Sequence, residues 1–417
     1  MTAIQNPSLP KDKIKVLLLE GISDTAVAKL NAAGYTNVER LTKALDGDDL
    51  IAALDGVRML GIRSRTQVTE KVVAATNSLI AVGCFSVGTN QINLDAARSK
   101  GIPVFNAPFS NTRSVAELTI AEIVMLFRRT FPRSMSAHQG KWEKSASRSN
   151  EIRGKVLGIV GYGNIGSQLA VLAEAMGLRV IYYDHTEKLR HGNVEPTDSL
   201  DDLLAAADVV SLHVPQTPVT KGMIGAEQIK RMKPGAFLIN NSRGTVVDIE
   251  ATAAALKSGH LGGVAIDVFP KEPPSNAEPF TSPLQGLDNV ILTPHVGGST
   301  AEAQERIGEE VAKKLVDYSD VGATIGAVNF PQAQLTRGHP GTRFIQVQKN
   351  LPGELGRLNE VFADHNVNIA AQFYETAGDI GYVVLDADGE VPDADKVLED
   401  IRALPGTIRA RRLSALG

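Results

Sequence analysis

Short apolar runs alternate with helical patterns along most of the chain. Lys13–Leu19 (KIKVLLL), rich in leucine and β-branched residues and stopped by Gly21, predicts a buried strand. Ser23–Ala33 then predicts a helix with Ser23 as its N-cap. Val57–Ile62, Leu79–Val82 and Pro103–Asn106 predict further strands, with helices at Thr69–Ala75 and Leu94–Lys100 between them. Such alternation indicates a parallel sheet covered on both faces. Val115–Thr130 is apolar nearly all round, which predicts a helix buried between subunits or domains.

A second alternating series follows. Its strands are expected at Val156–Val160, Arg179–Tyr183, Val209–His213, Ala236–Asn240, Gly263–Asp267 and Val290–Leu292, a doubly wound sheet. Glu302–Tyr318 predicts a helix that returns the chain to the first domain. Thr324–Pro340, weakly patterned and rich in Gly, Pro and Gln, reads as a linker. The last block has the order βαββαβ: Arg343–Lys349, Pro352–His365 with Pro at the helix start, Asn368–Thr376, Tyr382–Asp386, Ala394–Leu404 and Thr407–Leu413. That order is the ferredoxin-like unit. The expected fold class is therefore α/β. A dinucleotide-binding Rossmann domain (111–298) is inserted in a flavodoxin-like domain (13–110 and 299–333), and a ferredoxin-like domain (341–417) follows.

Composition narrows the function. With 43% hydrophobic and 22% charged residues, the 417-residue chain reads as globular, and a net charge of −4 supplies no general pull toward nucleic acid or anionic lipid. The single cysteine, Cys84, has no partner for a disulfide and no His/Cys cluster around it, so neither a structural disulfide nor a metal site is expected. No run approaches the roughly 18 apolar residues of a membrane span, and MTAIQNPSLPKDK lacks an apolar signal core. A cytoplasmic location is expected, with residues 1–12 as a loose tail.

Gly161-x-Gly163-x-x-Gly166 follows a strand and opens a helix. In such a turn the first Gly allows the bend, the second admits a pyrophosphate, and the third lets helix and strand pack; free N–H groups then meet the phosphates. Asp184 closes the next strand, where an acidic side chain accepts from a ribose 2′-OH and repels a 2′-phosphate. NAD is expected as cofactor, held by Gly161, Gly163, Asn164, Ile165, Gly166 and Asp184. Two histidines lie at carboxyl ends of predicted strands, His213 (SLHVP) and His295 (LTPHVGGST), and pattern alone leaves the choice of base open. Arg243 and Glu272 follow two further strands at the same edge. A carboxylate beside an imidazole raises its pKa, and a guanidinium grips a carboxylate in two-point fashion. Asp267, at a strand end, is a candidate to hold the nicotinamide carboxamide.

GYGNIG (161–166), SLHVP (211–215), NNSRGTVVD (240–248), AIDVFPKEP (265–273) and LTPHVGGST (292–300) together resemble the D-2-hydroxyacid dehydrogenase family. The resemblance implies that Arg243 binds the substrate carboxylate, Glu272 tunes the base and His295 exchanges the proton. His213 and Pro215 then border the cofactor. GIRSRTQVT (61–69), GCFSVGTNQINLDAA (83–97) and VFNAPFSNTRSVAEL (104–118) resemble the branch that oxidises 3-phosphoglycerate, in its bacterial form with a C-terminal ACT domain. That implies substrate contacts from Arg63, Ser64 and Asn111, in a cleft facing the Arg243 group. It also implies a homotetramer in which a cation such as Lys144, near Trp142, reaches in from a neighbouring subunit. A further lysine of that branch falls at position 42 or 43, and here Lys43 follows Thr42. Reduction of 2-oxoglutarate is an expected side activity.

NLPGELGRLNEVFADHNVNIAAQ (350–372) resembles an ACT domain, which implies L-serine as an effector at Asn350 and Asn368. The histidine usual two residues before the asparagine is here Gln348. Two other readings stay open: a hydroxypyruvate or glyoxylate reductase of the same family, and a non-catalytic NAD-sensing corepressor.

Overall fold

A computed structural model describes residues 9–273, 277–335, 341–389 and 391–413. Most of the expected tail (1–8), the end of the expected linker (336–340) and the last four residues of the C-terminal block lie outside them. Contacts divide the chain into two units: residues up to 110 together with those from 304, and residues 111–303.

The first unit holds two sheets. Strands β1 (Lys15–Leu18), β2 (Val38–Arg40), β3 (Val57–Ile62), β4 (Ala81–Cys84) and β5 (Val104–Phe105) form a parallel sheet in the order β2-β1-β3-β4-β5, the flavodoxin-like order. β1 and β3 are buried on both faces apart from the half-buried Lys15 and Arg58, as their mostly apolar runs require. β2 has only one apolar residue in three, too weak a pattern to announce a strand. Residues 9–12 are not loose: Lys11–Lys13 forms a helical turn, and Lys11 Nζ lies 2.9 Å from Asp320. Nor is 324–335 a free linker. Asn329 accepts from the Val104 N–H and donates to the Ile102 carbonyl, so this segment covers the open edge of β5.

The antiparallel sheet, in the order β14-β15-β13-β16, comprises β13 (Arg343–Lys349), β14 (Ile369–Ala377), β15 (Ile380–Ala387) and β16 (Thr407–Leu413). One face packs on helices Glu354–Asp364 and Ala394–Ala403. Ile345, Val347 and Val384 on the other face join Tyr318 and Phe330 in one core. Pro352 does not open the first helix. Gly353, with φ +85°, stands between them as the N-cap.

In the second unit all seven strands are parallel, in the order β12-β11-β10-β9-β6-β7-β8. They are β6 (Val156–Val160), β7 (Arg179–Tyr183), β8 (Glu195–Pro196), β9 (Val209–Leu212), β10 (Ala236–Asn240), β11 (Leu261–Ile266) and β12 (Val290–Leu292). The two-residue edge strand β8 has no apolar alternation to reveal it. Strand order reverses between β6 and β9, and the crevice outside the carboxyl ends at such a reversal is where doubly wound sheets bind ligands. Helix Thr112–Arg128 lies on this sheet within its own unit, beside helix Asn164–Ala175. It stops at Arg129, whose φ of +51° breaks the run, and helix Thr130–His138 that follows buries none of its residues.

Candidate active site

The glycine turn after β6 has the geometry its spacing predicts. Gly161 sits at φ +93°, and a Cβ on Gly166 would lie 2.3 Å from the Gly161 carbonyl oxygen. A Cβ on Gly163 would meet nothing within 4 Å, so the space over the turn is open. Helix Asn164–Ala175 starts there with no side-chain cap, leaving its first N–H groups for an anion. Asp184 Oδ1 accepts from the Thr186 N–H and hydroxyl at 3.1 Å each, while Oδ2 accepts from the Tyr162 N–H at 2.9 Å and keeps a lone pair for a ribose hydroxyl. It lines a pocket of about 230 Å³ with Tyr182, Lys188, Arg190 and Thr197. Open turn, uncapped helix end and a pocket lined by Asp184 fit a dinucleotide.

Asp267, directly past β11, is 1% exposed. Its carboxylate accepts from the Thr293 hydroxyl (2.6 Å) and the N–H groups of Val296 and Gly297 (2.8 Å each), and its carbonyl accepts from the His295 N–H (2.8 Å). Asp267 thus frames the turn carrying His295, which has φ +55°, a left-handed conformation uncommon for residues other than glycine. In this position the imidazole Nδ1 lies 2.9 Å from Glu272 Oε2, while the Phe269 N–H donates to Oε1 at 3.1 Å. The Glu272 bond raises the His295 pKa above the ordinary histidine value against the opposing effect of burial. Burial pushes the Glu272 pKa upward, but His295 and the Phe269 amide outweigh it and hold the carboxylate ionised.

Arg243 follows β10. Asn240 Nδ2 donates to its carbonyl at 3.0 Å, and Asn240 Oδ1 accepts from the Ser242 N–H and hydroxyl. Its guanidinium donates to the Ser242 carbonyl at 2.7 Å, and no carboxylate pairs with it among the described salt bridges. Burial lowers its pKa, yet it stays a cation. His213 differs from His295 in every respect. Its Nε2 meets Ser211 Oγ at 2.8 Å, Nδ1 has no partner, and burial pushes its pKa down to about 4. Pro215 presents its carbonyl to the Thr220 hydroxyl at 2.6 Å. Asn111 precedes helix Thr112–Arg128, with its Oδ1 buried and unpartnered.

In the first unit, Arg63, Ser64 and Arg65 form the turn past β3, with Ser64 and Arg65 exposed. Their backbone is organised by a residue the sequence pattern did not single out. The buried carboxylate of Glu20, two residues past β1, accepts from the N–H groups of Arg63, Ser64, Arg65 and Thr66 at 2.9–3.2 Å. An acidic residue closing an apolar strand (VLLLEG) at the Arg63 edge was the available signal. Glu122 was also missed. It is fully buried in helix Thr112–Arg128, has its pKa raised to about 8 chiefly by burial, and accepts from Asn241 Nδ2 at 2.7 Å.

Lys43 and Lys144 are both exposed. Gln348 is fully buried with neither amide atom partnered, Asn350 Nδ2 donates to the Gly378 carbonyl at 3.1 Å, and Asn368 Nδ2 lies 3.3 Å from Asp388. No cluster of metal-ligating side chains and no helix long and apolar enough to cross a membrane occurs among the described residues.

Residues 120–297 match the family model "D-isomer specific 2-hydroxyacid dehydrogenase, NAD binding domain", and residues 345–409 match "AHAS small subunit-like ACT domain". The chain is 55% identical over 406 residues to D-3-phosphoglycerate dehydrogenase of Escherichia coli K12, covering 97% of this chain and 99% of that one. It is 54% identical to the Haemophilus influenzae protein of that name, covering 97% and 98%. Among solved structures it is similar to D-lactate dehydrogenase from Aquifex aeolicus complexed with NAD and lactic acid. The TM-score is 0.63 at 31% identity, with 73% of this chain and 95% of that one covered.

Proposed function

The chain belongs to the D-isomer specific 2-hydroxyacid dehydrogenases, and from that premise we propose that it oxidises 3-phospho-D-glycerate to 3-phosphohydroxypyruvate, the first step of L-serine biosynthesis. The Glu272–His295 pair at 2.9 Å supports this reading best, because it supplies a base of raised pKa near an Arg243 that no described carboxylate neutralises. NAD, held by the Gly161–Gly166 turn and Asp184, would supply the acceptor for the C2 hydride. Arg243 holds the substrate carboxylate and aligns C2. His295 Nε2, the ring nitrogen not committed to Glu272, takes the C2 hydroxyl proton, and Glu272 stabilises the imidazolium so formed. The remaining lone pair on Asp267 Oδ2 suits the nicotinamide carboxamide. His213 and Pro215 border the cofactor, and the low pKa of His213 makes it too weak a base for this step.

Arg63 and Ser64 take the C3 phosphate, with Asn111 Oδ1 accepting from a substrate hydroxyl. Because Arg243 reads only the 2-oxo acid end, 2-oxoglutarate is also reduced. The test is NADH oxidation by purified protein with 3-phosphohydroxypyruvate and with 2-oxoglutarate. Absence of turnover on the first removes the assignment.

The ACT domain points to an amino-acid effector. L-serine is the proposed ligand, bound through Asn350 and Asn368. Gln348, where the family has histidine, gives it no positive charge, so inhibition is expected to need more serine. A titration of the rate with serine, repeated on Asn350→Ala, decides this. Phe131, Met135 and Trp142 are 39%, 49% and 88% exposed within twelve residues, and this supports a homo-oligomer, proposed to be a tetramer, that covers them. Sedimentation equilibrium gives the count.

A further inference from the structure

Glu20 is a carboxylate enclosed by a turn. Its side chain is 2% exposed. Oε1 accepts from Arg63 N (3.1 Å) and Thr66 N (2.9 Å), and Oε2 from Ser64 N (3.2 Å) and Arg65 N (3.0 Å). Four consecutive amides thus converge on one anion. This is the concave arrangement by which loops usually receive phosphate, occupied here by a residue of the chain itself.

The rest of Glu20 serves the same turn and a second one. Its carbonyl accepts from Arg63 Nη1 at 3.4 Å, so it orients the guanidinium as well as the backbone. Its own N–H donates to the Lys43 carbonyl at 3.1 Å, and the next N–H, of Gly21, donates to the Leu41 carbonyl at 3.0 Å. The backbone at Glu20 has φ +60°, in the left-handed region that a side chain with a Cβ avoids. A glycine there would relieve that strain, but it would have no carboxylate. From the other side, Gln91 Nε2 donates to the Arg63 carbonyl. Burial pushes the Glu20 pKa up, but the amides outweigh it and keep the carboxyl ionised below its ordinary range.

We propose that Glu20 is the positioning residue of the phosphate clamp: by filling the amides of residues 63–66 and anchoring 41–43, it fixes Arg63 and Ser64 for the 3-phosphate of the substrate. This rests on the reading that Arg63 and Ser64 hold that phosphate. Since the backbone donors are taken, an incoming phosphate meets only side chains, and their placement depends on the carboxylate beneath. A neutral amide at position 20 keeps the shape but offers an NH₂ to two of the four N–H groups. The turn must then reorganise.

The experiment compares full-length wild type, Glu20→Gln and Arg63→Ala on 3-phosphohydroxypyruvate and on hydroxypyruvate, which lacks the phosphate. NADH binding is followed by fluorescence. For Glu20→Gln a rise in KM for the phosphorylated substrate of at least tenfold is expected, with kcat within about threefold. Hydroxypyruvate kcat/KM and NADH binding should hold within about threefold. A Glu20→Gln/Arg63→Ala double variant, added to the comparison, should lose little more than Arg63→Ala alone, because both changes disable one clamp. Equal losses on the two substrates, or no loss on either, overturn the role of Glu20 while a selective Arg63→Ala leaves the clamp standing. An Arg63→Ala effect equal on both substrates removes the clamp itself, and the Glu20 proposal with it. Should Glu20→Gln fail to fold, Glu20→Asp carries the same comparison. Its shorter carboxylate is expected to give a smaller loss of the same selectivity, and an unselective loss overturns the proposal.

Discussion

Two turns, each at the carboxyl edge of a parallel strand, treat their backbone amides in opposite ways. After β6 the Gly161 and Tyr162 N–H groups go to the Tyr183 carbonyl and Asp184, but the start of helix Asn164–Ala175 has no side-chain cap, with open space above Gly163. After β3 the N–H groups of residues 63–66 are filled by Glu20. In the proposed sites the first turn would meet an anion through main chain, the second through side chains held in place by an internal anion. Main-chain recognition suits a group that never varies, such as a dinucleotide pyrophosphate. Side-chain recognition suits a substrate substituent, because a single replacement alters it. A parallel-sheet scaffold can thus keep its cofactor and change its substrate by editing one turn.

The proposed chemistry belongs to neither turn, and the largest expected effect is there. His295→Ala should lower kcat by about 10²- to 10⁴-fold, the usual contribution of a positioned general base, with NADH affinity near wild type. Stopped-flow turnover beside a fluorescence titration checks both. If His295→Ala stays active and His213→Ala does not, the base has been assigned to the wrong histidine.

Next in size is the glycine turn after β6. Gly166→Ala places a methyl 2.3 Å from the Gly161 carbonyl oxygen, a backbone atom with little room to retreat. A rise of about tenfold or more in the NADH dissociation constant is expected, corresponding to about 1.4 kcal/mol. An unchanged constant would mean that the third glycine does not set the turn.

Legibility in the sequence follows the same division. The glycine turn was readable because its constraint is local: spacing, strand and helix all lie within 157–170. That Arg243, Glu272 and His295 share one sheet edge was readable because each follows a strand of the same sheet, and β10, β11 and β12 are neighbours. Glu20 was not, since its partners lie more than forty residues away and only the pairing of β1 with β3 brings them together. Glu122 escaped for another reason: on a helix apolar nearly all round, one carboxyl reads as the solvent face until burial shows otherwise. Segment 324–335 looked like a linker because covering an edge takes backbone and one asparagine, with no periodic pattern.

A smaller effect tests how Glu272 acts on its neighbour. Glu272→Gln removes the main cause of the raised His295 pKa. Alcohol oxidation needs neutral imidazole, so its rate climbs as pH rises through that pKa. Ketone reduction needs imidazolium, so its rate declines over the same range. In the variant both limbs should move to lower pH, and reduction at neutral pH should suffer more than oxidation. Limbs that stay in place would assign the titration to another group.

The smallest expected effect separates the two turns by stability alone. The Glu20 pKa is lowered on folding, so its stabilisation is complete above the unfolded carboxyl value, about 4.3, and is lost as pH falls through the folded value. Wild type should therefore exceed Glu20→Gln in urea midpoint at pH 7. The gap should narrow on acidification, because the protonated wild-type carboxyl then resembles the amide. Gly166→Ala alters no titrating group, and any difference it makes should persist at every pH. A Glu20→Gln gap that ignores pH would show that the side chain stabilises its turn by packing. The contrast between free and filled amides would then lose its electrostatic basis.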